Sequence, residues 1–208
     1  MEPRLNFICF GDRPDDIACA LRMIRSVRKA MPGMEIVQQT DHASKPVKGV
    51  DDVARLSFTE YDTFCSFRAR HDCLVGDSPT IFCDVDMIFL RDVSYLFTRP
   101  FSIAMTVRED DDPLKPTQRY VGGFVLSQEK LFWRDVLNAV MLLPAPARLW
   151  YAGQDAWNRL APNYPGMMEL PAWQFNYAPK SADDVPASAF VLHFRGKRKA
   201  WMIERYQP

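Results

Sequence analysis

The chain opens on a short apolar run, Leu5-Asn6-Phe7-Ile8-Cys9-Phe10, closed by Gly11-Asp12. A run this short, bounded by turn residues, predicts a buried strand. The apolar period then changes: Ile17, Leu21, Ile24, Val27 and Met31 recur at helical spacing. Pro14 suits the first turn of that helix, Asp15 and Asp16 complement the positive end of its dipole, and Pro32-Gly33 stops it. Its other face carries Arg22, Arg25, Arg28 and Lys29, read as a solvated face, with peripheral contact to acidic lipid as the alternative. Glu35–Thr40 predicts a second strand and Val53–Phe58 a short apolar segment, so the chain begins as a βαβ unit with a parallel sheet.

Residues 60–75 predict a helix closed by Gly76-Asp77-Ser78-Pro79. Thr80-Ile81-Phe82-Cys83 is a buried strand running directly into Asp84-Val85-Asp86. Phe101–Thr106 and Tyr120–Ser127 are further strands flanking the polar loop Arg108–Arg119. A helix over Gln128–Leu142 follows Ser127 as N-cap, and the proline-bearing stretch Leu143–Arg148 is a linker. A short helix over Gln154–Leu160 and strands at Met167–Leu170 and Phe190–Phe194 complete the chain. No repeat interrupts this order, which implies one α/β domain over residues 1–208 with a mostly parallel sheet.

Composition narrows the function classes. Lys+Arg 26 balances Asp+Glu 26, which disfavours a uniformly basic nucleic-acid-binding surface. No apolar run approaches the roughly 20 residues of a membrane-spanning helix. The five cysteines lack C-x-x-C spacing and sit in apolar segments, as reduced, mostly buried residues of a cytoplasmic protein do.

In open α/β sheets, ligands collect outside the carboxyl ends of the strands. Asp84 and Asp86 lie at such an end, and their i, i+2 spacing points both side chains to one side. Such a pair is either a solvated acidic turn or a site for Mg²⁺ or Mn²⁺ shared with diphosphate oxygens. His193 ends the last strand and leads into Arg195-Gly196-Lys197-Arg198-Lys199, a loop able to approach and neutralise a phosphate. A basic surface tail is the competing reading. Gly122-Gly123 permits close ligand approach or marks a bulge, and Asp155 is a first-turn acid or a catalytic one. Trp150, Trp157, Trp173 and Trp201 are core residues or sugar-stacking platforms.

In this order the motifs resemble those of GT-A glycosyltransferases, specifically family 8, the glycogenin and lipopolysaccharide-galactosyltransferase group. Phe82–Leu90 resembles that family's D-x-D strand, and Asp92–Phe97 its succeeding short helix. Arg68 lies where the family carries a donor-contacting basic residue, and Tyr120–Phe124 is similar to its asparagine-(glycine/serine)-glycine strand entrance. Gly153–Asn158 is similar to its aspartate-glutamine helix start, and Asn176-Tyr177 to its asparagine-aromatic pair. His193–Trp201 resembles the closing H-x-x-G-x-x-K-P-W motif.

The resemblance implies a single GT-A, Rossmann-like domain with a mixed, mostly parallel central sheet. It further implies a metal-dependent hexosyltransferase that uses a UDP-sugar with retention, acting on a glycan, lipid or protein acceptor. Asp84, Asp86 and His193 would bind the metal, Mn²⁺ (or Mg²⁺), with Val85 between the two acids. Gly196 and Lys199 would contact the diphosphate, and Phe10, Gly11 and Asp12 would line the nucleoside pocket. Arg68 would lie near the ribose or sugar, Gly122 and Gly123 would border the donor sugar, and Gln154 would lie beneath the anomeric carbon.

The chain departs from the family pattern at Val121 for asparagine, Gly153 for aspartate and Ala200 for proline. The first two remove polar groups that the family places on the donor sugar. Asp155 is a candidate replacement for the missing carboxylate, and a non-catalytic nucleotide-sugar-binding module is the alternative function. A nucleotidyltransferase is disfavoured because no glycine-rich phosphate loop follows the first strand.

Overall fold

A computed structural model describes residues 2–58, 64–73, 78–108, 118–148 and 152–207. Strands β1 (Arg4–Ile8), β2 (Glu35–Thr40), β3 (Asp52–Arg55), β4 (Thr80–Cys83), β6 (Ile103–Val107), β7 (Tyr120–Ser127) and β8 (Met167–Pro171) form a seven-stranded sheet in the order β3-β2-β1-β4-β7-β6-β8. Every neighbouring pair is parallel except those made by β7, which runs against both β4 and β6. This is the mixed, mostly parallel sheet expected. A separate antiparallel ribbon pairs β5 (Met87–Phe89) with β9 (Val191–His193). The segment expected as a strand at Phe190–Phe194 thus stands outside the main sheet.

Period-two alternation sorts the strand side chains into two apolar clusters. Leu5, Phe7, Ile36, Ile81, Cys83, Phe124 and Leu126 belong to one, Phe82, Ile103, Met105 and Val125 to the other. The first packs on α1 (Pro14–Ala30) through Cys19, Ala20, Met23, Ile24 and Val27, and on α6 (Lys199–Arg205) through Met202. The second packs on α3 (Leu131–Met141) through Phe132, Trp133, Val136 and Val140, and on α4 (Ala152–Leu160) through Ala156 and Trp157. Sheet strands covered on both faces explain the continuous apolar runs in the sequence.

Several local expectations change. Ser127 does not cap α3: it lies inside β7, its hydroxyl donates to the Glu129 carbonyl, and the helix begins at Leu131 with no side-chain cap. The basic face of α1 is not simply solvated. Arg22 is buried and donates to the carbonyls of Ala18 and Ile203 at 2.9 and 2.8 Å, so it satisfies one acceptor of its own helix and one near the end of α6. The loop after His193 is largely helical, a 3₁₀ turn over Gly196–Arg198 followed by α6. Helix α2 (Phe64–Cys73) lies within the expected 60–75. The ends of that range, most of loop 108–119, and Trp150 fall outside the described residues.

Cys9, Cys19, Cys73 and Cys83 are free thiols. Among the described residues no helix is long and apolar enough to cross a membrane.

His71 on α2 is 1% exposed, and burial pushes its imidazole down from 6.5 to about 4. As pH falls below 6.5 the unfolded chain takes up this proton and the folded chain does not, so stability is lost down to about pH 4. Burial pushes the adjacent Asp72 up to about 7, which acts in the opposite direction between 3.8 and that value. The His71→Leu variant should therefore lack a destabilisation of about 3 kcal/mol between pH 7 and pH 4. Urea denaturation of both proteins at the two pH values measures that difference; equal pH responses would contradict it.

Candidate active site

Strand β4 ends at Cys83, and the next residues are held by two pairings to distant parts of the chain. Opposite Asp84 lies β7: Cys83 pairs with Phe124, and the Asp84 amide donates to the Gly123 carbonyl at 2.9 Å. The β6–β7 register shifts between Met105 and Thr106, whose partners are Val125 and Val121, so Gly122-Gly123-Phe124 is an irregularity that bends β7 beside the acidic pair. Beyond Asp86, the β5–β9 ribbon sets Met87 against His193, and the Phe194 amide donates to the Asp86 carbonyl at 2.8 Å.

These pairings bring Asp84, Asp86 and His193 together, with one possible ligand atom from each lying within 4.8 Å of the others. His193 Nε2 is 3.2 Å from Asp86 Oδ1 and 3.6 Å from Asp84 Oδ2. The other ring nitrogen, Nδ1, is 2.7 Å from Asn176 Oδ1. Asn176 Nδ2 donates to the Gly122 carbonyl at 3.0 Å and to Thr106 Oγ1 at 2.9 Å, while the Thr106 hydroxyl donates to the Val121 carbonyl. Since only an N–H can face a carbonyl, Asn176 must present its oxygen to His193, and Nδ1 must carry the proton. Nε2 is left to face two carboxylates, and either a proton or a cation must lie between them. Two carboxylate oxygens and one imidazole nitrogen suit a divalent ion, and Asn176 orients the imidazole as outer partners of metal-binding histidines do.

Room for this cluster depends on Gly123, whose φ is +105°. A Cβ there would stand 2.8 Å from His193 Nδ1 and 3.1 Å from Asp84 Oδ2. At Gly122 a Cβ would stand 2.9 Å from the Trp157 ring.

Cations surround the acids. Arg68 on α2 donates to Asp84 Oδ1 at 2.7 Å. Burial pushes the Asp84 carboxyl up, but the charge and hydrogen bond of Arg68, with the charges of His193 and Lys199, together hold it below its ordinary value. Lys199 Nζ donates to Asp16 Oδ1 at 2.8 Å and lies 3.9 Å from Asp86 Oδ2. Burial opposes its charge, yet the Asp16 hydrogen bond and Asp86 raise its pKa.

The cluster stands where two lobes of one cleft meet. The larger, about 530 Å³, is lined by Arg68, Asp84, Asp86, Gly122, Gly123, Gln154, His193, Gly196 and Lys199 among the expected residues. The smaller, about 280 Å³, includes Phe10 and Val85 and shares Arg68, Asp84, Asp86 and Lys199. Phe10 is stacked on Phe58, with ring centroids 5.5 Å apart. Gly11 and Asp12 are exposed and lie outside both linings, with the Gly11 amide donating to Ser44 Oγ. Asp155 also lies outside: its Oδ1 accepts from Gln118 Nε2 at 3.2 Å.

Sequence reading did not assign Arg13 or Asp72 to the cleft, yet both line its larger lobe, together with Arg195 of the basic loop read as phosphate-neutralising and Arg108 at the start of the polar loop read as substrate-facing. Nor did it place Asp16, which lines the smaller lobe. Arg13 and Asp16 had an available signal, because they follow directly from the carboxyl end of β1. Asp72 is placed by tertiary packing alone. Of the tryptophans, Trp157 lines the cleft. Val121 and Gly153 also line it and bring no polar side chain.

No protein-family model and no curated protein sequence matches this chain. Solved structures do. A galactosyltransferase, LgtC, in complex with donor and acceptor sugar analogues matches 98% of this chain and 93% of its own, with a TM-score of 0.66 at 14% identity. An active-site mutant of LgtC matches with a TM-score of 0.66 at 13% identity, over 98% of this chain and 93% of its own. The glycosyltransferase GlyE of Streptococcus pneumoniae matches 96% of this chain, but only 60% of its own, with a TM-score of 0.66 at 13% identity. The chain therefore has the GT-A glycosyltransferase fold and resembles family 8 within it.

Proposed function

We propose that this chain is a metal-dependent glycosyltransferase that moves a hexose from a UDP-sugar to a glycan, lipid or protein acceptor, with retention. The observation that carries the reading is the Asp84–Asp86–His193 cluster, with His193 Nε2 turned inward by Asn176, at the junction of the two lobes. LgtC, the fold neighbour crystallised with donor and acceptor sugar analogues, supports the substrate class.

In this reading the Phe10 lobe holds the nucleoside and the larger lobe holds the sugar and the acceptor. Asp84, Asp86 and His193 hold Mn²⁺ or Mg²⁺, which when bound neutralises the diphosphate and makes it a better leaving group. Lys199 adds a positive charge on the same oxygens, and Gly196, with open space where a Cβ would stand, lets the phosphate approach. Arg68, which lines both lobes beside Asp84, would lie near the ribose or sugar. Gln154 lies beside Gly122, its Oε1 3.7 Å from where a Cβ would stand there, and stabilises positive charge developing at the anomeric carbon. No carboxylate other than those assigned to metal or engaged with Arg68 lines the larger lobe among the described residues, so the acceptor oxygen attacks from the face that the diphosphate leaves.

Thermal unfolding with UDP-, GDP- and TDP-sugars, each with and without Mn²⁺, tests the reading. A UDP-sugar at a hundred times its Kd adds about 2.7 kcal/mol, raising Tm by roughly 5–10 °C and only with metal. Shifts indifferent to both nucleotide and metal would remove the proposal. Val121 and Gly153 favour a second reading, a nucleotide-sugar-binding module, which predicts the same Tm shift without transfer or hydrolysis across donors and acceptors.

Asn176→Ala should weaken Mn²⁺ binding by about 10- to 100-fold through loss of the imidazole's orientation. Calorimetric Mn²⁺ titration measures this; unchanged affinity would deny Asn176 that role.

A further inference from the structure

Arg195 stands two residues beyond His193 and next to the open Gly196, and it lines the larger lobe but not the Phe10 lobe. Its Nε is sealed from solvent without a hydrogen-bond partner, and the guanidinium makes no ion pair with any described residue. Three neighbouring cations are instead ion-paired. Arg68 is paired with Asp84 at 2.7 Å, Lys199 with Asp16 at 2.8 Å and Arg13 with Asp16 at 3.4 Å. The charges that act on Arg195 are the like-charged Arg108 and Arg198 and, opposing them, Asp84 and Asp86.

Those two carboxylates are the ones a divalent ion would take. With the ion in place those two carboxylates would no longer offset the Arg195 charge in a partly closed cleft, an arrangement that favours a bound anion. The diphosphate already has Lys199, which lines both lobes, whereas Arg195 and Arg108 line only the larger one. A guanidinium also presents a flat donor fork that fits carboxylate and phosphate oxygens in pairs.

We propose that Arg195, with Arg108 beside it, forms an oxyanion subsite in the larger lobe, so that one of the two sugars handled there carries a phosphate or carboxylate. The proposal rests on the reading of the cleft as a nucleotide-sugar site, and it goes beyond that reading by naming the chemistry of a substrate. Two sources supply this chemistry: an acceptor bearing a phosphate or carboxylate, or a donor whose sugar is a uronic acid.

The test has two arms. In the first, glucose 6-phosphate, glucuronic acid and methyl glucoside are titrated into protein with and without saturating UDP and Mn²⁺. In the second, UDP-glucuronic acid is compared with UDP-glucose in the presence of Mn²⁺. In one arm the anionic probe should bind about tenfold or more tightly than its neutral counterpart, a difference of about 1.4 kcal/mol. Arg195→Met, which keeps the aliphatic stem, should bring the two within about twofold, and Arg195→Lys should keep part of the preference. A preference in the first arm assigns the anion to the acceptor, and in the second to the donor sugar.

Equal binding of anionic and neutral probes in both arms would overturn the proposal, as would a preference that Arg195→Met leaves intact. Tenfold weaker binding of UDP itself to Arg195→Met would instead place the guanidinium on the diphosphate, and would also overturn it. An anion preference that persists in wild-type protein unable to bind UDP with Mn²⁺ would count against the glycosyltransferase reading and leave the subsite standing.

Discussion

Asp86→Ala is expected to lower Mn²⁺-dependent affinity for UDP by on the order of a hundredfold or more, and to abolish sugar transfer. Asp86 is 7% exposed, and its Oδ1 is the carboxylate atom nearest to His193 Nε2 at 3.2 Å. Removing it takes away one of three ligand groups and half of the negative charge that holds a divalent ion there. Loss of an outer partner alone costs metal sites about 10- to 100-fold, so loss of a ligand sets that range as a lower bound. Asp86→Asn keeps the shape and removes the charge, and should fall nearly as far if charge dominates. Calorimetric titration of UDP with and without Mn²⁺ separates the two contributions. Full metal-dependent affinity in both variants would be incompatible with a cation at this cluster, and a proton would then have to occupy the space between Nε2 and the acids.

The largest stability effect is expected at Gly123→Ala. The backbone there has φ +105°, a conformation that costs a side-chain-bearing residue about 1–3 kcal/mol. The new Cβ would also stand 2.8 Å from His193 Nδ1 and 3.1 Å from Asp84 Oδ2, in a region filled by buried groups. Overpacking of that kind costs a further 1–3 kcal/mol or so. A loss of about 3 kcal/mol or more lowers Tm by roughly 6–12 °C for a chain of this size. Either way the acidic pair and the histidine are pushed apart, so metal binding should fail even in the fraction that folds. Gly196→Ala is a suitable comparison, since its φ is +63° but no atom lies within 4 Å of the new Cβ. It should lose only the backbone part. Similar Tm values for the two variants would show that contact with His193 is not what requires glycine at 123.

Legibility of the fold followed the length and closure of each segment. Thr80–Cys83 and Tyr120–Ser127 were readable to the residue because each is a largely apolar run with turn or polar residues at its ends, and Glu35–Thr40 because β-branched Ile36-Val37 follows the Pro32-Gly33 stop. Met87–Phe89 carries no period of its own in three residues, and it is a strand only because Val191–His193 pairs with it. The short helix α5 (Ala172–Phe175) was invisible for the same reason. Helix α6 was hidden for another: its cationic start, with Lys199 after Lys197-Arg198, reads as a phosphate loop. Arg22 misled the reading because polarity in sequence does not reveal that the guanidinium satisfies a carbonyl of another helix.

The sequence by itself determined the parallel α/β opening, the two-sided burial of its strands and the placing of Asp84 and Asp86 at a strand's carboxyl end. All three follow from side-chain period and local turn chemistry, which act over a few residues. Tertiary structure decided what surrounds the acids. The β5–β9 register paired His193 with Met87 and so brought it beside Asp86, Gly123 in the bend of β7 left space for His193 and Asp84, and Asn176 fixed which imidazole nitrogen faces inward. It also left the Arg195 guanidinium in the larger lobe without an ion pair among the described residues. These relations join residues far apart along the chain, and their energies depend on distance, burial and neighbouring charge, quantities that exist only once the strands have paired.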